Sequence, residues 1–488
     1  MRWALLAAIL LLSCSAGDDG TGVAGGGNGG AAAAAGAGGS VGGNGSGGTA
    51  GSTGGSSSGG ASSGGASSGG ASGSSSGGAV GSGGTAGAAP VDASSLTNKL
   101  LYGYQGWFAC KGDGAPPNRW VHWFKNDAPT AANLTFEMWP DLSELTPNEL
   151  FPTSLTIGGQ PASLYSAWTQ QTVVRHFAWM QAAGMDGVFL QRFVSELKDP
   201  AFKSLRDQVA KNVMAGAEQH GRVFAVMYDI SGADAGTLAQ TLKDDWAYLV
   251  DTLKLTSSSR YLKHGGKPVL AIWGYGFTDR PGTPAELSSL QQHFQSQAPS
   301  QQQVTLIGGV PTYWRTLNND SKTDSAWLAA YRGFDVLSPW AVGRFADDAG
   351  ADDFKNKQIV PDLADAKAHG VVYMPVVWPG FSWKNLNGGP LNQIPRRAGK
   401  FWWRQVYNAV SAGAPTLYGA MFDEVDEGTA MFKLAPTASA VPSEGSFLTL
   451  DADGTALSSD FYLRLGGDGA RMLRGEIAVT ATPPTSAQ

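Results

Sequence analysis

The chain has 488 residues, a formal net charge of -6 and two cysteines, Cys14 and Cys110. An acidic balance without a basic stripe excludes nucleic acid as a partner. Two cysteines, one of them in the leader, exclude a disulfide framework and a Cys/His metal cluster.

In chain order, the first element is a leader over residues 1–14. Met1-Arg2-Trp3 carries one positive charge, Ala4 to Leu12 is a short apolar core, and Ser13-Cys14 follows. That is the pattern of a secretory signal, too short to span a bilayer as a mature helix. Leu11-Leu12-Ser13-Cys14 is similar to a bacterial lipobox, in which the signal is cut before the cysteine and the thiol is lipidated. An ordinary signal with an incidental cysteine is the alternative. Ser15, rather than Asp, after Cys14 points to outer-membrane sorting and so to the bacterial cell envelope, facing the periplasm or the outside. No later run of about 18 apolar residues occurs, so a lipid on Cys14 is the one membrane attachment expected.

Residues 15–94 form the second element. Between Gly17 and Pro90 there is no aromatic residue, Lys, Arg or Glu, and the unit Ser-Ser-Gly-Gly-Ala recurs from Ser57 to Ala71. Such a segment cannot bury enough apolar area to offset its ordering entropy, so it is expected to be a disordered tether. As a Gly-rich coil its reach is on the order of 50 Å.

From residue 95 to residue 476 apolar runs alternate with amphipathic stretches. The runs are Leu100 to Phe108, Gly187 to Phe193, Val223 to Ile230, Pro268 to Trp273, Val304 to Val310, Val336 to Val342, Val371 to Trp378 and Thr416 to Phe422. They are continuous rather than alternating, as strands covered on both faces are. Helical patterns fall at Thr172 to Ala183, Phe202 to Gln219, Leu238 to Leu253, Pro284 to Ser296, Ser325 to Tyr331, Asp352 to His369, Arg396 to Ala412 and Ser459 to Leu473. Eight such units predict a single α/β domain, a (β/α)8 TIM barrel, with residues 477–488 as a disordered tail. A doubly wound open sheet competes, but no Gly-rich phosphate loop follows the first run. A domain of this length buries a sizeable core alone, so a monomer is expected.

Barrel active sites lie at the C-terminal ends of the strands. Gln191-Arg192, Tyr228-Asp229, Trp273, Trp340 and Trp378 fall there. Arg192 could equally pair with Glu196, Tyr228-Asp229 could cap the next helix, and His122, inside Trp120-Val121-His122-Trp123, could be a packed histidine. The 16 tryptophans offer flat faces that suit sugar rings. No Gly-x-Ser-x-Gly elbow is present, which disfavours a Ser-His-Asp hydrolase. Asp451-Ala452-Asp453-Gly454 lacks the remaining ligands of a calcium loop. The last run ends in Phe422-Asp423-Glu424-Val425-Asp426-Glu427-Gly428, four carboxylates in five positions. Glycoside cleavage needs two carboxyl groups, and crowding like charges pushes at least one pKa upward. A solvated acidic loop is the plain alternative.

Taken together, Gly103-Tyr104-Gln105-Gly106-Trp107-Phe108, Trp120-Val121-His122-Trp123, Met138-Trp139-Pro140-Asp141, Gly187 to Phe193, Ala225 to Asp229, Gly266-Lys267-Pro268 with Trp273-Gly274, Phe422-Asp423-Glu424 with Glu427-Gly428-Thr429, and Ser459 to Leu465 resemble bacterial proteins of the glycoside hydrolase family 71/99-like group. Some members of that group are labelled xylosidase/arabinosidase. The resemblance spans Lys99 to about Glu476. It implies a retaining (β/α)8 glycosidase without a metal or other cofactor, acting on an α-linked polysaccharide or glycan, mannoside-like in the endo-α-mannosidases of family 99. It also implies a Glu-x-x-Glu pair at the last strand, here Glu424 and Glu427. Glu424 would act as base on the sugar 2-hydroxyl, which attacks the anomeric carbon to give a 1,2-anhydro intermediate, and Glu427 as general acid, then base. Intramolecular attack of that kind has a large effective concentration. Where family 99 has Trp-His between the glutamates this chain has Val425-Asp426, so Asp423 and Asp426 stay open as an alternative pair. Tyr104, Arg192, Tyr228 and Trp273 are the expected substrate-binding residues. The competing readings are a non-catalytic surface glycan-binding lipoprotein, a family-71-like α-1,3-glucanase and a metal-dependent hydrolase.

Overall fold

The computed structural model describes residues 89–488. The leader with Cys14 and almost all of the expected tether lie outside the described residues.

In chain order the strands are β1 (Leu100–Tyr104), β2 (Phe151–Ile157), β3 (Gln160–Leu164), β4 (Gly187–Phe193), β5 (Val223–Asp229), β6 (Lys263–His264), β7 (Lys267–Trp273), β8 (Thr305–Val310), β9 (Val336–Pro339), β10 (Val372–Tyr373), β11 (Val376–Val377) and β12 (Leu417–Gly419). The main sheet runs β10-β9-β8-β7-β5-β4-β1-β12-β11, with every neighbour on this path parallel. Its two ends belong to one stretch of chain, because only Met374 and Pro375 separate β10 from β11. Met374 N–H donates to Leu337 O at 2.8 Å, and Tyr418 N–H donates to Pro375 O at 3.0 Å. A proline has no N–H to give, so the ladder is interrupted there while the chain carries on. Counting β10 and β11 as one, eight parallel strands close a (β/α)8 barrel.

The strands form where the continuous apolar runs fall, and all residues of β1, β8, β9 and β12 are buried. Inside the barrel Tyr418, Met227 and Gln191 meet, with Gln191 Nε2 donating to Tyr418 Oη at 2.9 Å. A Cβ on Gly103 would stand 2.2 Å from that hydroxyl, so glycine there makes room for the ring. Helices cover the outside, among them Gln170–Ala183, Pro200–His220, Leu238–Asp251, Lys400–Ser411 and Phe461–Leu473. The second starts where Asp199 accepts from Ala201 N (2.9 Å) and Phe202 N (3.3 Å), with Pro200 at its first position.

Three features differ from expectation. An antiparallel hairpin, β2–β3, is inserted after β1. The chain before residue 95 already packs on the barrel: Val91 N–H donates to Gly221 O at 2.8 Å, and Lys263 N–H to Ala93 O at 2.7 Å. The stretch 477–488, expected to be a disordered tail, folds back instead. Trp403 Nε1 donates to Thr480 O at 2.8 Å, Arg464 Nη1 to Ser486 O at 2.9 Å, and Ser458 N–H to Ala487 O at 3.0 Å. Thr485 Oγ1 also donates to Asp468 Oδ2 at 2.6 Å. Polar composition hid these anchors, because most of what the tail contributes is backbone carbonyls.

Candidate active site

Strand alternation decides which strand-end residues face the barrel mouth. Gln191 points inward, so Arg192 points outward, and in parallel register Arg192 lies beside Tyr228 on that same outer side. Both side chains converge on Asp245 of the helix Leu238–Asp251: Arg192 donates to it at 2.6 and 2.7 Å, and Tyr228 Oη donates at 2.7 Å. Arg192 also reaches Asp207 at 2.8 Å, while Glu196 pairs with Arg206 instead. Tyr104 follows the inward Gly103 and so faces the helix Gln170–Ala183, where its hydroxyl meets His176 Nδ1 at 2.9 Å against Phe422. Tyr104, Arg192 and Tyr228, expected as substrate contacts, therefore bind strands to helices. Trp273 pairs in register with Asp229 and Asp229 with Phe193, so Trp273 is on the inner face at the mouth. Its ring packs on Phe277 (4.8 Å) and Trp340 (5.4 Å), with the Arg280 guanidinium 5.4 Å above it.

The acidic segment after β12 is no solvated loop. Asp423, Glu424, Asp426 and Glu427 are 1–8 % exposed. Phe422 N–H donates to Gly103 O at 2.7 Å, which ties the start of the turn to β1. Gly428 closes the turn at φ +69°, where a Cβ would come within 2.9 Å of Ser382 N. Ser382 N–H itself donates to Glu427 O at 2.9 Å, and Arg396 Nη2 donates to Gly428 O at 2.8 Å and Ala430 O at 2.7 Å. On the other side Glu137 N–H donates to Val425 O at 3.3 Å. Three separate loops thus hold the turn by its backbone.

The carboxyl groups differ in what they accept. Asp423 takes the N–H groups of Gln105 (2.7 Å) and Gly106 (2.9 Å), and so anchors the end of β1; burial pushes it up to about 7 against those bonds. Glu424 accepts from Gln105 Nε2 and from Thr429 Oγ1, both at 2.5 Å. Glu427 accepts no hydrogen bond from any described side chain; burial first, then Glu424 and Asp426 nearby, push it well above the carboxylate range. Burial also raises Glu424, but its two donors favour the charged form and oppose the rise. Of the Glu424/Glu427 pair, Glu427 is therefore the carboxyl that keeps its proton more firmly and Glu424 the one that gives it up first. Two carboxyls driven apart by their surroundings are the requirement for a general acid beside a base.

Asp426 is tied to His122, with Oδ2 3.2 Å from Nδ1, and His122 stacks on Trp107 at 3.8 Å with the rings 7° from parallel. Burial holds the imidazole down at about 3 and the carboxyl up, so the contact is a neutral hydrogen bond rather than an ion pair. Glu137 is a fifth buried carboxyl beside the turn, accepting from Ser382 Oγ and from Asn385 N at 2.6 Å, and raised by burial to about 6. It was not among the expected site residues, although Phe136-Glu137-Met138 sits inside an apolar run, where a carboxylate needs a reason. Around the mouth Gln105 Oε1, Asp426 Oδ1 and the indole N–H groups of Trp107 and Trp273 have no hydrogen-bond partner among the described residues. Buried polar atoms left open in that way fit the hydroxyls of a ligand.

No protein-family model matches this sequence. No curated protein matches it either. Among solved structures it is similar to a GH99 endo-α-mannosidase from Bacteroides thetaiotaomicron, with TM-score 0.56 and 15% identity over 78% of this chain and 99% of that one. The same enzyme with bis-tris propane gives TM-score 0.55 and 16% identity over 79% of this chain and 100% of that one. A glycoside hydrolase-like protein gives 0.50 and 14%, over 79% and 97%. Likeness at these identities is likeness of fold, and it extends over the whole barrel.

Proposed function

We propose that this chain is a retaining glycoside hydrolase that cleaves α-glycosidic bonds of a polysaccharide or glycan, with Glu427 as general acid and then base, and Glu424 as base on the sugar 2-hydroxyl. The observation that carries the reading is the contrast within one buried turn: Glu424 holds two donors and Glu427 none. The open indole and amide groups around the mouth and the fold shared with glycosidases support it further.

In the reaction, Glu427 gives its proton to the leaving oxygen as the glycosidic bond breaks. Glu424 takes the proton of the 2-hydroxyl, whose oxygen closes on the anomeric carbon. Water then opens that ring, giving its proton to Glu427, while Glu424 returns the proton to the 2-oxygen. Both groups end as they began, and two inversions leave the anomeric configuration unchanged.

Proton NMR of a hydrolysis in progress tests the stereochemistry. The α-anomer appearing first agrees with the proposal; the β-anomer first contradicts it. Activity unchanged in chelator separates it from a metal-dependent hydrolase. A protein that binds a glycan and cleaves none would instead be the surface binder, and cleavage confined to α-1,3-glucan would make it the glucanase. The envelope location is part of the same proposal: labelled palmitate should enter the wild type and not the Cys14→Ala variant.

A further inference from the structure

We propose that Gln105 is a positioning residue that favours the charged form of Glu424 and turns its own amide oxygen to a hydroxyl of the bound sugar, a role that rests on the glycosidase reading. Gln105 follows the last residue of β1 and lies across the seam where β1 pairs with β12. Two of its atoms point at the acids' side of that seam. Its N–H, with that of Gly106, holds Asp423 at 2.7 and 2.9 Å. Its Nε2 donates to Glu424 Oε1 at 2.5 Å. In the ionised form that acts as base Glu424 can only accept, so there the amide nitrogen faces Glu424 and the amide oxygen faces away.

That oxygen is buried and has no partner among the described residues, and the side chain as a whole is 4 % exposed. A buried carbonyl left open costs stability unless something fills it. The atom beside it in the cluster is the base that the proposal places on a sugar hydroxyl, so a hydroxyl of that same sugar is the partner the position offers. The second donor on Glu424, Thr429 Oγ1, comes from the acidic turn itself and has no such free atom. The two donors therefore share one task, and only Gln105 carries the second.

The experiment uses the full chain with carboxyl-labelled glutamate, and Glu424 is identified as the resonance missing in Glu424→Gln. Removing either donor, as Gln105→Met or Thr429→Val, should raise the Glu424 midpoint by roughly one pH unit. The acid limb of kcat/KM should move with it. Affinity for α-mannobiose, measured with Glu427→Gln in the background, should fall roughly tenfold for Gln105→Met and little for Thr429→Val. An unmoved midpoint in a folded variant overturns the positioning role. Equal affinity in both variants, or none in the parent, overturns the assignment of the amide oxygen. Should Gln105→Met fail to fold, Gln105→Asn, one methylene shorter, must give the same direction. The titration needs no substrate: a shifted midpoint in a protein that cleaves no glycan keeps the positioning role and removes the glycosidase reading.

Discussion

Glu427 is buried and accepts no hydrogen bond from any described side chain. Burial keeps it protonated in the folded chain, whereas an unfolded glutamate titrates near 4.3. Folding therefore takes up a proton above that pH, and stability falls as pH rises from about 4 toward the raised folded value. Glu427→Gln replaces the acid by a neutral isostere. Its melting temperature should match the wild type near pH 4.5 and exceed it by on the order of 2 °C at pH 8. A larger gain at pH 4.5 than at pH 8 would reverse the assignment. Turnover by the same variant should drop by about 10²–10⁴-fold, the usual worth of a general acid. At this scale the sequence singled out Glu424 and Glu427, and the structure buries both in one turn. It misplaced Tyr104, Arg192 and Tyr228, because being at a strand end says nothing of which face a residue takes. Alternation from a single inward anchor such as Gln191 would have separated them from Trp273.

Among the elements, the acidic turn depends on neighbours that reach it from three loops. Gly428 has φ +69° and no room for a Cβ beside Ser382 N. Gly428→Ala should destabilise the protein by roughly 1–3 kcal/mol, read from denaturant midpoints, and lower turnover with it. Arg396 is buried and donates to the carbonyls of Gly428 and Ala430. Arg396→Lys keeps the charge but not the reach to both, and should raise KM and lower kcat while the far-ultraviolet circular dichroism stays unchanged. The barrel strands were legible because each is a continuous apolar run between helical patterns. The hairpin β2–β3 was not read as such: its strand Phe151–Ile157 is half-buried and carries mixed polarity. Its signal is Gly158-Gly159, with φ +58° and +79°, the pair of left-handed residues a two-residue turn requires.

The described residues, 89–488, form a barrel with both ends of that stretch stitched to its outside. Residues 89–93 bond to Gly221, in the turn before β5, and to β6, and 480–487 bond to two outer helices. A fragment beginning at residue 95 should melt several degrees below one beginning at residue 89, and removal of 477–488 should lower it again; equal melting points would show these contacts to be idle. The barrel itself was evident from periodicity, whereas these ends are held mostly by single backbone groups, which leave no pattern in composition. The central claim is that Glu424 and Glu427 act as a pair on an α-linked sugar. A screen of α-linked polysaccharides and aryl α-glycosides with the wild type beside Glu427→Gln tests it most directly. The account predicts cleavage of an α-glycan by the wild type, with the variant binding it and releasing almost nothing; equal cleavage by both proteins would contradict it.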